Sequence, residues 1–207
     1  MYPLNKMSYK DKIETYQSDC DILLGRLKKF SEYIKEFATA IGIIYNNSLG
    51  LDLGAGPGGC NADFFTLSTL DGCDQEQEVV NSLPKGLYNK TFAFSLGKDQ
   101  LPYSNNSLDF IVCSCVIQHL NSFQELIQGL GEIYRVLKPN GYLYLMYKVG
   151  TNDTILTHHN SYYDEDRSFR VFSPSAVHKC TELTLLRSEY LLDDNYIPYN
   201  LDIYQKS

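Results

Sequence analysis

The sequence has no tryptophan, and its six cysteines, at positions 20, 60, 73, 113, 115 and 180, include no C-x-x-C pair. Nothing in that spacing supports a zinc or dithiol centre, so buried reduced thiols and no metal are expected. Basic residues are short as well. Eighteen Lys and Arg against twenty-five Asp and Glu leave a formal charge of −7 and a pI near 5.0. That balance argues against a broad phosphate-binding surface, and nucleic acid is not an expected partner. No apolar run reaches the length of a bilayer span, and no basic stretch leads into an apolar core near the start. The expectation is a soluble, cytoplasmic protein with no membrane partner. Internal repeats and low-complexity tracts are also missing.

What is present suits one folded domain. Hydrophobic residues at 43% and charged residues at 21% are ordinary globular usage, and 207 residues accommodate a single α/β core with a modest insertion. Seventeen tyrosines suit either a pocket lining or the periphery of a core, since the ring is apolar and its tip polar.

The chain is organised around Leu51 to Gly59, L-D-L-G-A-G-P-G-G. A short apolar run into a glycine cluster has the layout of a first strand, a tight turn and a helix start in an α/β nucleotide site. Gly54, Gly56 and Gly59 also satisfy the dinucleotide fingerprint, with Asp74 lying 74 − 54 = 20 positions after the first glycine. Two residues favour a different ligand. Asp52 puts a carboxylate near the turn, which repels a pyrophosphate and attracts the ammonium and sulfonium of S-adenosylmethionine (SAM). Pro57 removes an N–H that a pyrophosphate would use.

Before this turn, Ile13, Tyr16, Cys20, Leu23, Leu24 and Leu27, then Phe30, Tyr33, Ile34, Phe37 and Ile41, recur at helical steps. They predict one or two amphipathic helices that cover the sheet or act as a lid, with Tyr9 and Tyr16 able to reach inward. After the turn, a helix to about Leu70 and a strand over Thr69 to Cys73 ending at Asp74 are expected. Asp74 then stands at the edge where open α/β sheets bind ligands, ready for a ribose diol or to cap a helix over Gln75 to Leu83. Further strands are predicted within Thr91 to Leu96 and over Asp109 to Ser114, with Cys113 and Cys115 on one strand face. Ser122 and Glu125 have capping-box spacing. Phe123, Leu126, Ile127, Leu130, Ile133, Tyr134 and Leu137 then mark a buried helix face, ended by Pro139-Asn140-Gly141 before a strand at Tyr142 to Tyr147. From Gly150 to Arg170 the chain is polar and reads as an insertion. Ser173 and Pro174 open a short helix to about Glu182, and strands follow at Thr184 to Leu191 and Tyr199 to Tyr204, Pro198 lying outside the last.

Four stretches in this order, LDLGAGPGG, Asp74, LPYSNNSLDFIVCSCVIQHL and EIYRVLKPNGYLYL, resemble the class I SAM-dependent methyltransferases of ubiquinone-biosynthesis type. The likeness covers about Leu49 to Tyr147. It implies a doubly wound, mostly parallel seven-stranded Rossmann-like sheet with helices on both faces and an antiparallel last strand. It further implies SAM as cofactor, with Asp52, Gly54, Ala55 and Gly56 at its methionyl end, Asp74 and Gln75 at the ribose and adenine edge, and Cys115 beneath the sulfonium. Where such sequences carry an acidic residue near the adenine, this chain has Ser95, Leu96 and Gly97, with Asp99 beyond; Gly97 is taken as the cofactor contact there. No Asn- or Asp-Pro-Pro-aromatic run appears, which disfavours amino-methylation of DNA bases.

The division expected is a single domain over 1–207: a helical cover over 1–46, the SAM core over 47–149, an insertion over the acceptor site at 150–172, and a helix with a strand pair over 173–207. The expected reaction is direct in-line methyl transfer to a small-molecule acceptor, with His119 as general base and Tyr16, Gln118, Tyr147, His158 and Arg170 as acceptor contacts. A protein acceptor, a nicotinamide oxidoreductase and a SAM-binding protein without catalysis are the alternatives.

Overall fold

The computed structural model describes residues 9–43, 45–56, 59, 61–62, 65, 68–151, 153–160, 165–192 and 198–207, without the side chains of 9–24, 156, 158–160 and 165–167. In order these form α1 (Tyr9–Ala40), β1 (Leu49–Leu53), β2 (Thr69–Asp74), α2 (Gln77–Ser82), β3 (Thr91–Ala93), β4 (Leu108–Ser114), α3 (Phe123–Val136) and β5 (Leu137–Lys148). A hairpin of β6 (Thr154–Asn160) and β7 (Glu165–Val171) follows, then α4 (Pro174–Lys179), β8 (Thr184–Leu192) and β9 (Pro198–Gln205). The seven-stranded sheet has the order β3-β2-β1-β4-β5-β9-β8. β1 to β5 pair in parallel, and β9 enters antiparallel to both β5 and β8. The expected doubly wound sheet with an antiparallel last strand is the observed one.

Alternation along buried strands sends successive side chains to opposite layers. On β4, Ile111 and Cys113 pack with Leu126, Leu130 and Ile133 of α3 and Val177 of α4. Phe110 and Val112 face the other way, toward Leu27, Phe30, Ile34 and Phe37 of α1. Cys115 does not share the Cys113 face: the strand ends at Ser114, Cys115 takes φ 60°, and it packs with the opposite layer. A left-handed residue breaks the two-residue period on which the expectation rested.

The direction of α1 bears on the site. Arg26 Nη1 donates to the Tyr199 hydroxyl at 2.8 Å, and the Phe37 ring lies 6.0 Å from that of Tyr142. Tyr199 pairs with Lys148 at the C-terminal end of β5, whereas Tyr142 lies near its start. The helix therefore descends from the C-terminal edge, and the 17 residues Tyr9–Gly25, about 25 Å at 1.5 Å per residue, extend past it. Ile41, expected on the buried face, follows the helix end and is 48% exposed. No described helix is long and apolar enough to cross a membrane.

Other expectations shift locally. The helix predicted between the glycine turn and Leu70 falls mostly outside the described residues, and Leu70 itself belongs to β2. The capping box is displaced: Glu125 N donates to Ser122 Oγ at 3.1 Å, but the Glu125 carboxylate accepts from Asn121 N at 2.8 Å, one residue earlier than the motif requires. Ile127 is 45% exposed because, at about 100° per residue, it stands roughly 120° round α3 from Ile133, near the middle of the buried face. Leu137 already begins β5, which includes Pro139-Asn140-Gly141. Pro198 is the first residue of β9, a position where its missing N–H is tolerated. The polar insertion is a two-stranded antiparallel hairpin, anchored at its base by a bridge between Val149 and Phe172.

Candidate functional site

The glycine turn closes the top of β1. Gly54 takes φ 76° and Gly56 takes φ 64°. The amides of Gly54 and Ala55 both donate to Cys73 O, at 2.9 and 2.8 Å, which ties the turn to the end of β2. At Gly54 an added Cβ would lie 2.3 Å from Val116 Cγ2, so the post-β4 segment packs directly on the turn. Gly56 differs: an added Cβ meets nothing within 4 Å among the described residues. The turn is thus packed beneath and open above, as a flat cofactor group requires.

Two carboxylates flank it in different states. Asp52 is fully buried, its oxygens accepting from Asn61 Nδ2 at 2.8 Å and the Tyr88 hydroxyl at 2.6 Å. Burial pushes its pKa from 3.8 up to about 6, against the opposing pull of those two donors and with a further push from the charge of Asp74. Asp52 thus braces the turn from within: each oxygen takes one donor, and the residue has no exposed surface from which to meet another. Asp74 is half-buried. Its Oδ2 accepts from Gly56 N and its Oδ1 from Glu76 N, both at 3.1 Å. A carboxylate offers about four lone-pair sites, so these two bonds leave Asp74 able to accept from a diol. Gln75 beside it is exposed.

Gly97 has a different reason to be glycine. With φ 79°, an added Cβ would lie 2.3 Å from Glu125 O, so the loop passes against the backbone of α3. Asp99 is also engaged, accepting from Ser95 N at 2.7 Å.

On the other side of the edge, β4 leads through Cys115, whose amide donates to Met146 O at 2.8 Å, into a 3-10 turn at Ile117–His119. The hairpin docks here. Gln118 is buried, and its Oε1 accepts from Lys148 N at 3.1 Å, joining the turn to the end of β5. The Phe169 ring has the Lys148 ammonium 3.8 Å from its centroid and the exposed His119 ring edge-on at 5.1 Å. Arg170 Nη2 donates to Asn121 O at 2.8 Å, while its Nε is buried with no hydrogen-bond partner among the described residues. The Asn121 amide bonds foremost, together with the charges of Lys98 and Arg170, hold Glu125 below the usual carboxylate range.

Several expected contacts sit elsewhere. Tyr147 is fully buried and donates to Asp202 Oδ2 at 2.8 Å, inside a network with Asn200 and Tyr204, so it does not face an acceptor. Burial and the charge of Asp202 raise its phenol pKa. The side chains of Tyr16 on α1 and His158 on β6 lie outside the described residues, as does Asp164, a suggested partner for Arg170. Sequence reasoning missed Asn61, Tyr88 and Phe169. Asn61 follows Asp52 by nine residues and Tyr88 by 36, and no local pattern signals either pairing.

Residues 51–145 match the profile of a family described as "Methyltransferase domain". No curated protein matches the chain. A SAM-dependent methyltransferase from Clostridium acetobutylicum superposes with a TM-score of 0.71 at 14% identity, over 94% of this chain and 98% of that one. One from Methanosarcina mazei gives 0.64 at 17% identity, over 81% and 96%. The 1,6-didemethyltoxoflavin-N1-methyltransferase of Burkholderia thailandensis, solved with 1,6-didemethyltoxoflavin and S-adenosylhomocysteine, gives 0.60 at 14% identity, over 100% and 93%. The matched profile spans the glycine turn and the post-β4 turn, and the fold is that of SAM-dependent methyltransferases; profile and fold together support an enzyme that uses SAM as its cofactor.

Proposed function

We propose that the enzyme methylates a small molecule held between the post-β4 turn and the β6–β7 hairpin. The observation that carries this reading is the docking of Phe169 and Arg170 onto residues 118–121, which roofs the sheet edge beside the glycine turn. The Burkholderia enzyme of the same fold was solved with a small-molecule acceptor, which supports the reading by analogy of fold. The expected division into helical cover, core, insertion and C-terminal strand pair belongs to the same proposal, with the projecting half of α1 closing the edge from the other side.

When bound, SAM supplies a methyl group on a sulfonium, already activated for direct in-line displacement. The chain's own residues hold and orient. The glycine turn offers an open backbone at Gly56, Ala55 and Gly54 flank it, Asp74 accepts from the ribose with Gln75 beside the adenine, and Cys115 borders the reacting centre. Gln118 and Arg170 hold the acceptor wall in place, and His119 takes the acceptor's proton on a ring nitrogen. Alignment of bound reactants contributes roughly 7–11 kcal/mol to such a reaction. A general base supplies about 10²–10⁴-fold, so positioning outweighs the base.

The test is an acceptor screen by mass spectrometry for the gain of one methylene, with S-adenosylhomocysteine release as the coupled signal. Release without any methylated small molecule, but with methylated protein, would replace the small-molecule reading with a protein acceptor. On a hydroxyl acceptor so identified, His119→Ala should lower kcat by about 100-fold or more and leave S-adenosylhomocysteine affinity unchanged. Wild-type kcat in that variant would leave alignment alone as the mechanism.

A further inference from the structure

Ser114 ends β4 with a hydroxyl that is buried and has no hydrogen-bond partner among the described residues, in a residue only 8% exposed. An unsatisfied buried hydroxyl destabilises a fold, and native structures retain few of them without a reason. Its position supplies one. Leu53 pairs with Cys113, so Ser114 stands level with Gly54 on the neighbouring strand. The contact between Gly54 and Val116 shows that the two segments touch at this height. The next residue, Cys115, has φ 60°, a conformation that non-glycine residues hold mainly where surroundings or function enforce it.

The face matters equally. Asp52 pairs with Val112, and Ser114 is the next residue of β4 on that face, so a buried carboxylate stands two positions from the hydroxyl. Asp52 itself is committed to Asn61 and Tyr88. Its charge still makes the space next to Ser114 favourable for a cation and unfavourable for an anion. SAM carries both at its amino-acid end, an ammonium and a carboxylate, and a serine hydroxyl has two lone pairs for the first.

We propose that the Ser114 hydroxyl accepts a hydrogen bond from the ammonium of the cofactor's amino-acid end, the role that sequence reasoning gives to Asp52. This rests on the reading that the cofactor lies along the glycine turn. The experiment is calorimetric titration of wild type, Ser114→Ala and Asp74→Ala with three ligands. These are S-adenosylhomocysteine, its decarboxylated analogue, which keeps the amine, and 5′-methylthioadenosine, which has neither group. Ser114→Ala should weaken the first two by about ten- to a hundred-fold, as for loss of a bond to a charged group, and leave methylthioadenosine unchanged. Asp74→Ala should weaken all three. Since the variant removes an unpartnered hydroxyl, it should melt no lower than wild type, and Ser114→Cys provides a second, near-isosteric check. Equal loss for all three ligands would make Ser114 a packing residue and overturn the proposal, as would no loss for any. A loss confined to S-adenosylhomocysteine would assign the bond to the carboxylate and overturn the ammonium assignment. Wild type that bound none of them would instead remove the cofactor reading beneath it.

Discussion

The two halves of the ligand edge are built on different principles. On the cofactor side, the glycine turn is held by two amides on Cys73 O, by the buried Asp52 between Asn61 and Tyr88, and by the part-buried bond of Gly56 N to Asp74. On the proposed acceptor side, the hairpin meets the post-β4 turn through the ring of one phenylalanine and one guanidinium N–H, while a buried carboxamide joins that turn to the end of β5. The turn is a brace and the hairpin an attachment. Changes in the brace should therefore reach the fold and every cofactor-dependent step, whereas changes in the attachment should reach the acceptor alone.

The sharpest way to break that contrast is Gly54→Val. The residue combines φ 76° with a Cβ position 2.3 Å from Val116, and a branched side chain adds atoms beyond that point. Strain of this kind costs about 1–3 kcal/mol in backbone alone, and overpacking about 1–3 kcal/mol more, a large share of a typical stability of about 5–15 kcal/mol. The variant should lose several kcal/mol by urea denaturation, or fail to accumulate folded. Gly56→Ala has the same backbone demand without the collision and should stay folded. Equal stability of the two would show that the turn is not braced by the post-β4 segment.

Asp52→Asn comes next in size. A carboxylate whose pKa is higher folded than unfolded confers stability that is complete below the unfolded value and is lost as pH rises through the folded one. For Asp52 the rise from 3.8 to about 6 bounds that loss at about 3 kcal/mol, taking about 1.4 kcal/mol per tenfold. Glu125 and Glu132 act oppositely, because bonds to Asn121 and to Arg135 hold them low; their contribution is lost as pH falls. The informative curve is therefore the difference in unfolding free energy between wild type and Asp52→Asn from pH 4 to 7. Wild type should fall relative to the variant across that window. A flat difference would mean that Asp52 is not the buried acid in the brace.

The contrast also decides what could be read in the sequence. The brace was legible because its parts are local: glycine spacing, an acid at a strand end, and the alternation of a buried strand give β1, β2, β4 and the place of Asp74. Even there the role of Asp52 was not, since Asn61 and especially Tyr88 reach it through the fold. Of the attachment, the extent and the candidates Gln118, His119 and Arg170 were legible, but not the pairing that brings them together. A polar stretch with adjacent tyrosines and mixed charges reads as an insertion without a defined form, and only pairing from Thr154 with Val171 to Asn160 with Glu165 makes it a hairpin. Tyr147 was misplaced for the same reason: its partner Asp202 is 55 residues away.

Asp74→Ala touches both the brace and the cofactor. It removes the acceptor for Gly56 N and Glu76 N as well as a proposed ribose contact. Bonds to a charged acceptor are worth roughly 1.5–3 kcal/mol each, so S-adenosylhomocysteine should bind about ten- to a hundred-fold more weakly by calorimetry. Once an acceptor is known, its KM at saturating SAM should stay near wild type. A comparable rise in acceptor KM would show that the two halves of the edge are one coupled unit.

Arg170→Ala is the smallest and most discriminating change, because it tests the attachment alone. The side chain gives the 2.8 Å bond to Asn121 O, and Asn121 in turn donates its amide to Glu125 at the start of α3. Losing one charged donor to a carbonyl costs roughly 1.5–3 kcal/mol where it is buried. Arg170 is only partly buried, and Asn121 O can turn to water, so about 1 kcal/mol, or roughly a five-fold effect, is expected. It should appear as a raised acceptor KM, since the bond holds the roof of the proposed acceptor site and not the glycine turn. Arg170→Lys should recover part of it, as a lysine can reach a carbonyl but cannot fork. Affinity for S-adenosylhomocysteine should not move. If it fell with the acceptor KM unchanged, residues 118–121 would belong to the cofactor's brace, and the boundary between the two halves would run through the hairpin instead of beside it.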